Sequence, residues 1–282
     1  MTALFQRDYR VTVDDISITK LDLTFKIVRN LGREPNTAEI AIKNLSPDNR
    51  AALEEKEEVR VRVEAGYITA EGVPADEGFA GRSLIYSGDL REAHTERDGA
   101  DLITTISSGD GEKRQRRARA NKTFGPGTRI RTVVEALADA LGVGLGNLRD
   151  LQDLEFGATG GIFPNGTVIS GNAWRELSQI FRSAALEVTI QNGVLQVLPR
   201  RTALAGQAVL LKSTTGLIES PSQSSDGTAR ARCLMIPDLF PGRKVKFEAQ
   251  RVSGFFRVNK ASYTGDTAAD DWFIDIECDP LS

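Results

Sequence analysis

The chain has 282 residues, 40% of them apolar and 27% charged, with 36 Lys and Arg against 39 Asp and Glu and a net charge of −3. That composition, with only 10 prolines, excludes collagen, wholesale disorder and a disulfide scaffold, and the length predicts two domains, or two with a small insert. A nearly balanced charge does not fit a dedicated nucleic-acid binder, whose domain is usually basic. Cys233 and Cys278 lack CxxC spacing and read as reduced core residues. No apolar run approaches the roughly 18 residues that cross a bilayer, and MTALFQRDYR lacks the order of a signal peptide. Folding in the cytoplasm, without membrane insertion, is expected.

From the start, Tyr9 to Val13 alternates apolar and polar residues, and Leu21, Leu23, Phe25 and Ile27 share one face of a second strand. After Pro35-Asn36, Ala38, Ile40 and Ile42 resume the period of two. Ser46 before Pro47 marks an N-cap with proline at the first helical position, so PDNRAALEE predicts a short helix. Val59, Val61 and Val63 form a strand ending at Gly66. SLIYSGDLREAHTER and ADLITTISS flank Asp98-Gly99, a dipeptide suited to a tight hairpin turn. Five or six strands with one small helix predict a closed or sandwiched antiparallel sheet.

At Lys113 the composition changes. KRQRRARANK carries six basic residues in ten, and GPG follows at 125 to 127. Ile130, Val133, Val134, Leu137, Ala138 and Leu141 make a helical stripe that stops at Gly142. Ser170 is the expected N-cap of a second amphipathic helix carrying Trp174, Leu177, Ile180 and Phe181. LEVTI and VLQVL then flank an Asn192-Gly193 hairpin. From 207 the strands return as AVLL, TARARCLM, RKVKFEA, GFFRVNKASY and DWFIDIEC, broken by Pro237 and Pro241. Val61-Arg-Val-Glu-Ala65 matches Val245-Lys-Phe-Glu-Ala249, and Tyr86-Ser-Gly-Asp89 matches Tyr263-Thr-Gly-Asp266 in the same order. Short amphipathic strands also match by chance, so these pairs alone leave duplication open.

Signals for chemistry are sparse. A Ser-His nucleophile needs a histidine base, and the one histidine, His94, falls among solvated residues of a hairpin strand. One His and two distant Cys do not make a zinc site. Asp14-Asp15, Glu57-Glu58 and Asp270-Asp271 adjoin turns or strand ends, where acids cap and solubilise. Gly109-Asp110-Gly111 and the run from Gly157 to Gly166 lack GxxxxGK[ST] and the strand-GxGxxG-helix order, and read as turns and a flexible loop. The basic segment from Lys113 to Lys122 could bind phosphates in a salt-sensitive way, yet it has no interleaved aromatics to stack bases. It reads first as a solvated connector or a contact to an acidic partner. No catalytic, cofactor-binding or metal-ligating residue is assigned.

Several stretches, in order, resemble a known family: LDLTFKIVRNLGREPNTAEIAIKNLSPDNRAAL, VRVEAGY, IYSGDLREAHTERDGADLITTISSGDGE, LEVTIQNGVLQVLP, TTGLIESP, CLMIPDLFPGRKVKFEA and GFFRVNKASYTGDTAADDWFIDIECDPL. Together they resemble the small baseplate hub proteins of contractile-tailed bacteriophages, over nearly the whole chain except about 113 to 170. The resemblance implies a mainly β protein with a small α+β insert, built from two tail-tube-like antiparallel β-barrels. Residues 1–112 would be the first barrel, 113–200 the insert and 201–282 the second barrel. It also implies a homotrimer forming a pseudo-hexameric ring, which adapts the hexameric tail tube to the trimeric central spike. Tail tube protein, central spike protein, tape-measure protein and baseplate wedge proteins are the implied partners, with DNA only in transit through the channel. The implied location is the virion tail baseplate, after assembly in the host cytoplasm. Larger relatives add a lysozyme-like or peptidase domain, for which a chain stopping at Ser282 is expected to leave no room. No cofactor and no enzymatic activity are therefore expected. The alternatives from other classes are a glycan-binding or peptidoglycan-degrading tail-tip protein and a DNA-binding role for Arg114, Arg116, Arg117 and Arg119.

Overall fold

A computed structural model describes residues 6–32, 34–68, 81–150 and 160–281. The chain forms two compact units. One comprises Met1–Asn30, Asn36–Gly109 and Ala203–Ser282, and the other Leu31–Pro35 and Asp110–Thr202.

In the first unit the elements before residue 110 are β1 (Gln6–Val13), β2 (Ile16–Ile18), β3 (Leu23–Asn30), β4 (Asn36–Lys43), α1 (Pro47–Glu55), β5 (Arg60–Ile68), β6 (Ser83–Asp98) and β7 (Asp101–Asp110). Alternation decides which face is buried: Leu23, Phe25 and Ile27 of β3, and Ala38, Ile40 and Ile42 of β4, lie in the core while the residues between them do not. Ser46 caps α1 by accepting from the Asn49 amide, with Pro47 as the first helical residue. Asp98 pairs with Asp101 across Gly99, whose φ of 60° suits the tight turn between β6 and β7.

The second unit opens with α2 (Glu112–Arg117) and β8 (Arg119–Phe124), then β9 (Thr128–Arg129), α3 (Ile130–Leu141), β10 (Ile162–Phe163), β11 (Thr167–Asn172), α4 (Ala173–Ser183), β12 (Leu186–Gln191) and β13 (Val194–Pro199). The stripe read from the sequence on α3 is buried throughout, and packs with Leu177 and Phe181 of α4. The basic segment forms a short helix with no buried residue, followed by a strand paired with β11. One expectation is corrected here. The N-cap of α4 is Asn172, which accepts from the Arg175 amide at 2.8 Å, because β11 runs on through Ser170. Residues 151–159, which include the start of the glycine-rich run, lie outside the described residues.

The chain then returns to the first unit as β14 (Val209–Leu211), β15 (Ser222–Gln223), β16 (Ala229–Leu234), β17 (Lys244–Glu248), β18 (Ser253–Asp266) and β19 (Trp272–Pro280). The protein is mainly β, with thirteen strands of this unit in one sheet. The two β-rich regions expected as separate barrels are hydrogen-bonded into this single sheet. Among the described residues its pairing path runs from β15 to β2 without closing.

Within that sheet one arrangement occurs twice. The first run has the neighbour order β3-β4-β7-β6-β5, the second β15-β16-β19-β18-β17, with the same chain connectivity. Each run centres on a long strand that pairs first with the strand before it and then with the strand after it. Each long strand is interrupted at the same place: between Leu90 and Glu92 in β6, and between Val258 and Lys260 in β18. Bulges are specific features of a strand rather than noise, so their coincidence fixes the correspondence. Val61, opposite Gly88, answers to Val245, opposite Phe256, and the bulges follow two residues later in both runs. The match of Val61–Ala65 with Val245–Ala249 is thus structural. The match of Tyr86 with Tyr263 is not, because Tyr86 precedes its bulge and Tyr263 follows its own. The sixth position differs too: β1 is antiparallel to β5, whereas β14 is parallel to β17.

The two runs meet at β18 and β3, which pair over seven residues from Lys260↔Asn30 to Asp266↔Thr24. Arg29 on β3, 3% exposed, donates from Nη1 to the Ile85 carbonyl at 2.8 Å and lies over the Phe240 ring. Tyr263 on β18 is fully buried and donates to the Leu239 carbonyl at 2.7 Å. Burial pushes its phenol pKa up, so it stays a donor. Removing the hydroxyl leaves a buried carbonyl short of its partner, and Tyr263→Phe is expected to lower stability by about 1–3 kcal/mol. Urea unfolding followed by fluorescence checks this; an unchanged midpoint would contradict the role assigned to the bond.

Candidate assembly interface

The sheet's two faces are chemically opposite. One face forms the core, with Ile27, Ile40, Ala261, Tyr263, Ile274, Ile276 and Cys278 among its members. The other carries charge in cross-strand rows. Arg230, Glu277, Lys260 and Asn30 lie opposite one another on β16, β19, β18 and β3, and Arg232, Asp275, Ser262 and Val28 form the adjacent row. Arg232 holds Asp275 through two bonds of 2.8 and 3.1 Å and stacks 4.0 Å over the Phe273 ring. Arg230 and Glu277 stand 3.7 Å apart. These pairs are solvent-accessible and contribute little stability each. Their effect is to cover one face of the sheet with alternating charge, around a shallow depression of about 320 Å³.

The long strand of each run differs in one respect. Beyond its bulge, β18 has β19 on one side and β3 on the other. Beyond its own bulge, β6 has β7 on one side, and among the described residues no strand pairs with the other. The equivalent seven-residue stretches have matching consequences in burial. Ala261, Tyr263 and Gly265 of β18 are buried, whereas Glu92, His94, Glu96, Arg97 and Asp98 of β6 are exposed and Ala93 and Thr95 half-buried. That leaves about 23 Å of strand edge open, lined by Glu92, Glu96 and Asp98. At the sheet's other end, residues 216–223 run beside β16 through Leu217↔Cys233 and Ser222↔Arg230, and on the outer side the Leu217 amide donates to the Lys212 carbonyl at 3.3 Å. Ile218 in this stretch is 47% exposed.

The residues weighed for chemistry fall elsewhere. His94 lies on the open edge of β6, 3.8 Å from Glu96. Asp14 and Asp15 are both held by Lys56 at 2.7 Å, which lowers the Asp15 pKa through that hydrogen bond first. Arg7 donates to the Asp266, Ala269 and Asp270 carbonyls and lies over Trp272, so the Asp270-Asp271 turn is clamped by its backbone. Asp110, in the Gly-Asp-Gly run, is 1% exposed and accepts from the Asn192 and Gly193 amides at 2.6 and 2.9 Å. It caps the β12–β13 turn, a role no local motif announced. Among the described residues no three His, Cys, Asp or Glu side chains converge as a metal site. In the basic segment, Arg119 donates to the Arg116 and Ala118 carbonyls and Lys122 lies over Phe124. Their outward positions on β8 are largely exposed.

Burial pushes the Cys233 thiol up to about 12, helped by Asp275, and raises the Cys278 thiol well above its ordinary value. Thiolate is the reactive form, so neither should react with Ellman's reagent in the native protein, and both should react in guanidinium. Fast reaction of either thiol before unfolding would contradict this burial.

Comparison with known structures places the fold among phage tail proteins. The 43 kDa tail protein of prophage MuSo2 from Shewanella oneidensis aligns over 98% of this chain and 97% of its own, with a TM-score of 0.66 at 8% identity. A tail protein from Neisseria meningitidis MC58 aligns over the same shares, with a TM-score of 0.65 at 10% identity. An Escherichia coli component of the type VI secretion system, described as structurally similar to the T4 bacteriophage tail proteins gp27 and gp5, aligns over 96% of this chain and 77% of its own, with a TM-score of 0.57 at 8% identity. At these identities the likeness is one of fold. Comparison with curated protein sequences finds no match. The family is nevertheless fixed by sequence: residues 8–278 match the family described as Baseplate hub gp41, and the chain belongs to it.

Proposed function

We propose that this baseplate structural protein is the ring-shaped adaptor of a phage tail. In this reading three copies form a pseudo-hexameric ring joining the hexameric tail tube to the trimeric central spike. The observation that carries it is the duplicated run of strands, β3-β4-β7-β6-β5 and β15-β16-β19-β18-β17, with bulges at matching positions. A chain holding two equivalent elements meets a sixfold partner with three copies, because three chains present six such elements while the complex keeps true threefold symmetry. Residues 1–112 and 201–282 then act as two tube-like barrels once the sheets of neighbouring copies are joined, and 113–200 is the insert between them. Membership of the Baseplate hub gp41 family supports the location at the baseplate. The resemblance to a type VI secretion component described through T4 tail proteins supports a place next to a spike.

In this account the charged face of the sheet lines the channel. Rows in which Arg230, Glu277 and Lys260 alternate in sign neutralise one another locally, so the wall offers no continuous basic track to hold a passing polyanion. The protein needs no catalytic residue for this role, and its function is shape and contact. The family matched is a baseplate hub rather than a wall-degrading enzyme, which favours this reading over the tail-tip alternative.

The test is reconstitution with the tail tube and central spike proteins of the same particle. Sedimentation should show this protein retained by both, and in one complex when all three are mixed. Retention by neither would overturn the adaptor role.

A further inference from the structure

The sequence contains two Asn-Gly pairs, Asn165-Gly166 at the end of the glycine-rich run and Asn192-Gly193 on the β12–β13 turn. Asparagine before glycine is where a main chain most readily attacks its own side chain, because glycine has no Cβ to shield its nitrogen. The glycine nitrogen gives its proton to hydroxide and bonds to the asparagine Cγ, while the Cγ–Nδ2 bond breaks and ammonia leaves with a proton from water. Water then opens the resulting imide ring at either carbonyl. The product is aspartate, or isoaspartate in which the chain runs on through the side-chain carbon.

The fold treats the two pairs differently. The Gly193 amide donates at 2.9 Å to Asp110, whose carboxylate also accepts from the Asn192 amide at 2.6 Å, and the Gly193 carbonyl accepts from the Gly144 amide at 3.0 Å. Hydrogen bonds to an ionised acceptor are stronger than neutral ones, and Asp110 is too buried for solvent to screen its charge. Taking the proton from Gly193 would set a second negative charge beside the first, which that field opposes. Pairing of Gln191 with Val194 fixes the turn from both sides. At the other pair each restraint is weaker. Asn165 is exposed, and among the described residues its side chain makes no hydrogen bond. The Gly166 amide donates to the neutral Phe163 carbonyl at 3.1 Å, an acceptor it shares with the Gly127 amide at 2.9 Å. The strand before this turn, β10, is held by only Ile162↔Arg129 and Phe163↔Thr128.

We propose that Asn165 is the residue at which this protein deamidates, and that Asp110 holds the chemically equivalent Asn192 inert. This is independent of the adaptor role. The product at position 165 places a new negative charge on an exposed turn of the second unit, and isoaspartate lengthens the main chain there by a methylene. Gly166 is packed closely, since a Cβ on it would lie 2.5 Å from the Phe124 carbonyl oxygen. The lengthened chain must therefore push against β8 or leave its place, and the β10–β11 connection is the part of this unit that changes first as the protein ages.

The experiment ages the full-length folded protein in mildly alkaline buffer and, in parallel, the same chain unfolded in guanidinium. Peptide mass spectrometry reads conversion at each asparagine, and enzymatic methylation of isoaspartate counts the rearranged product independently. Unfolded, the two sites should convert at similar rates, since both precede glycine. Folded, Asn165 should convert at least about tenfold faster than Asn192, which corresponds to a barrier difference of roughly 1.4 kcal/mol. Asp110→Ser, which keeps an acceptor oxygen and removes the charge, should raise the Asn192 rate by about the same factor and leave the Asn165 rate unchanged. Equal rates at the two sites in the folded protein, or a faster Asn192, would overturn the assignment. So would an Asn165 that converts in guanidinium and never in the folded protein. A folded Asp110→Ser whose Asn192 stays inert overturns the shielding. Should that variant not fold, the natural chain decides alone: a folded-to-unfolded rate ratio equal at both sites overturns the shielding as well.

Discussion

Main-chain hydrogen bonding along β18 organises this structure. A strand in water or protein must give its N–H and C=O groups partners, and a 14-residue strand flanked on one side by the five-residue β17 has edge to spare. β3, more than two hundred residues earlier in sequence, occupies that spare edge. Everything else in the larger unit follows from this contact. It ties the two runs of strands into one sheet, puts Tyr263 and Ala261 in a continuous core, and aligns the charged rows of β16, β19, β18 and β3 on a single face. Arg29 reinforces it from the core side by reaching the Ile85 carbonyl.

The same constraint connects fold to function. In the first run β6 has equal edge to spare, but no strand of the chain fills it among the described residues. In the adaptor reading, the duplicated element lets three copies meet a sixfold partner. The titratable groups singled out are occupied by structure: Lys56 between Asp14 and Asp15, Asp110 on the β12–β13 turn, and both cysteines sealed in the core.

Much of this was legible in the residues themselves, wherever a local period or turn chemistry decides the outcome. Leu23 to Ile27 alternates because one face is buried, Asp98-Gly99 turns because glycine accepts a positive φ, and the stripe from Ile130 to Leu141 ends at Gly142 with φ of 64°. The duplication was half visible. Val61–Ala65 and Val245–Ala249 do correspond, whereas the two Tyr-x-Gly-Asp stretches fall on opposite sides of the bulge, a register no sequence pattern records. What could not be read depends on distant partners. The β18–β3 pairing joins strands whose sequences look like any half-buried strands, and Asp110 reads as part of a turn until its amide partners arrive 82 residues later. The helix α2 was hidden because six basic residues in ten carry no apolar period.

The central claim of the adaptor reading is that three copies form a ring. Native mass spectrometry of the purified protein across a range of concentrations tests it most directly. The account predicts a single dominant assembly at three times the 30.7 kDa chain mass, dissociating to monomer on dilution without a populated series of larger species. A monomer at every concentration, or an open-ended ladder of masses, would contradict it.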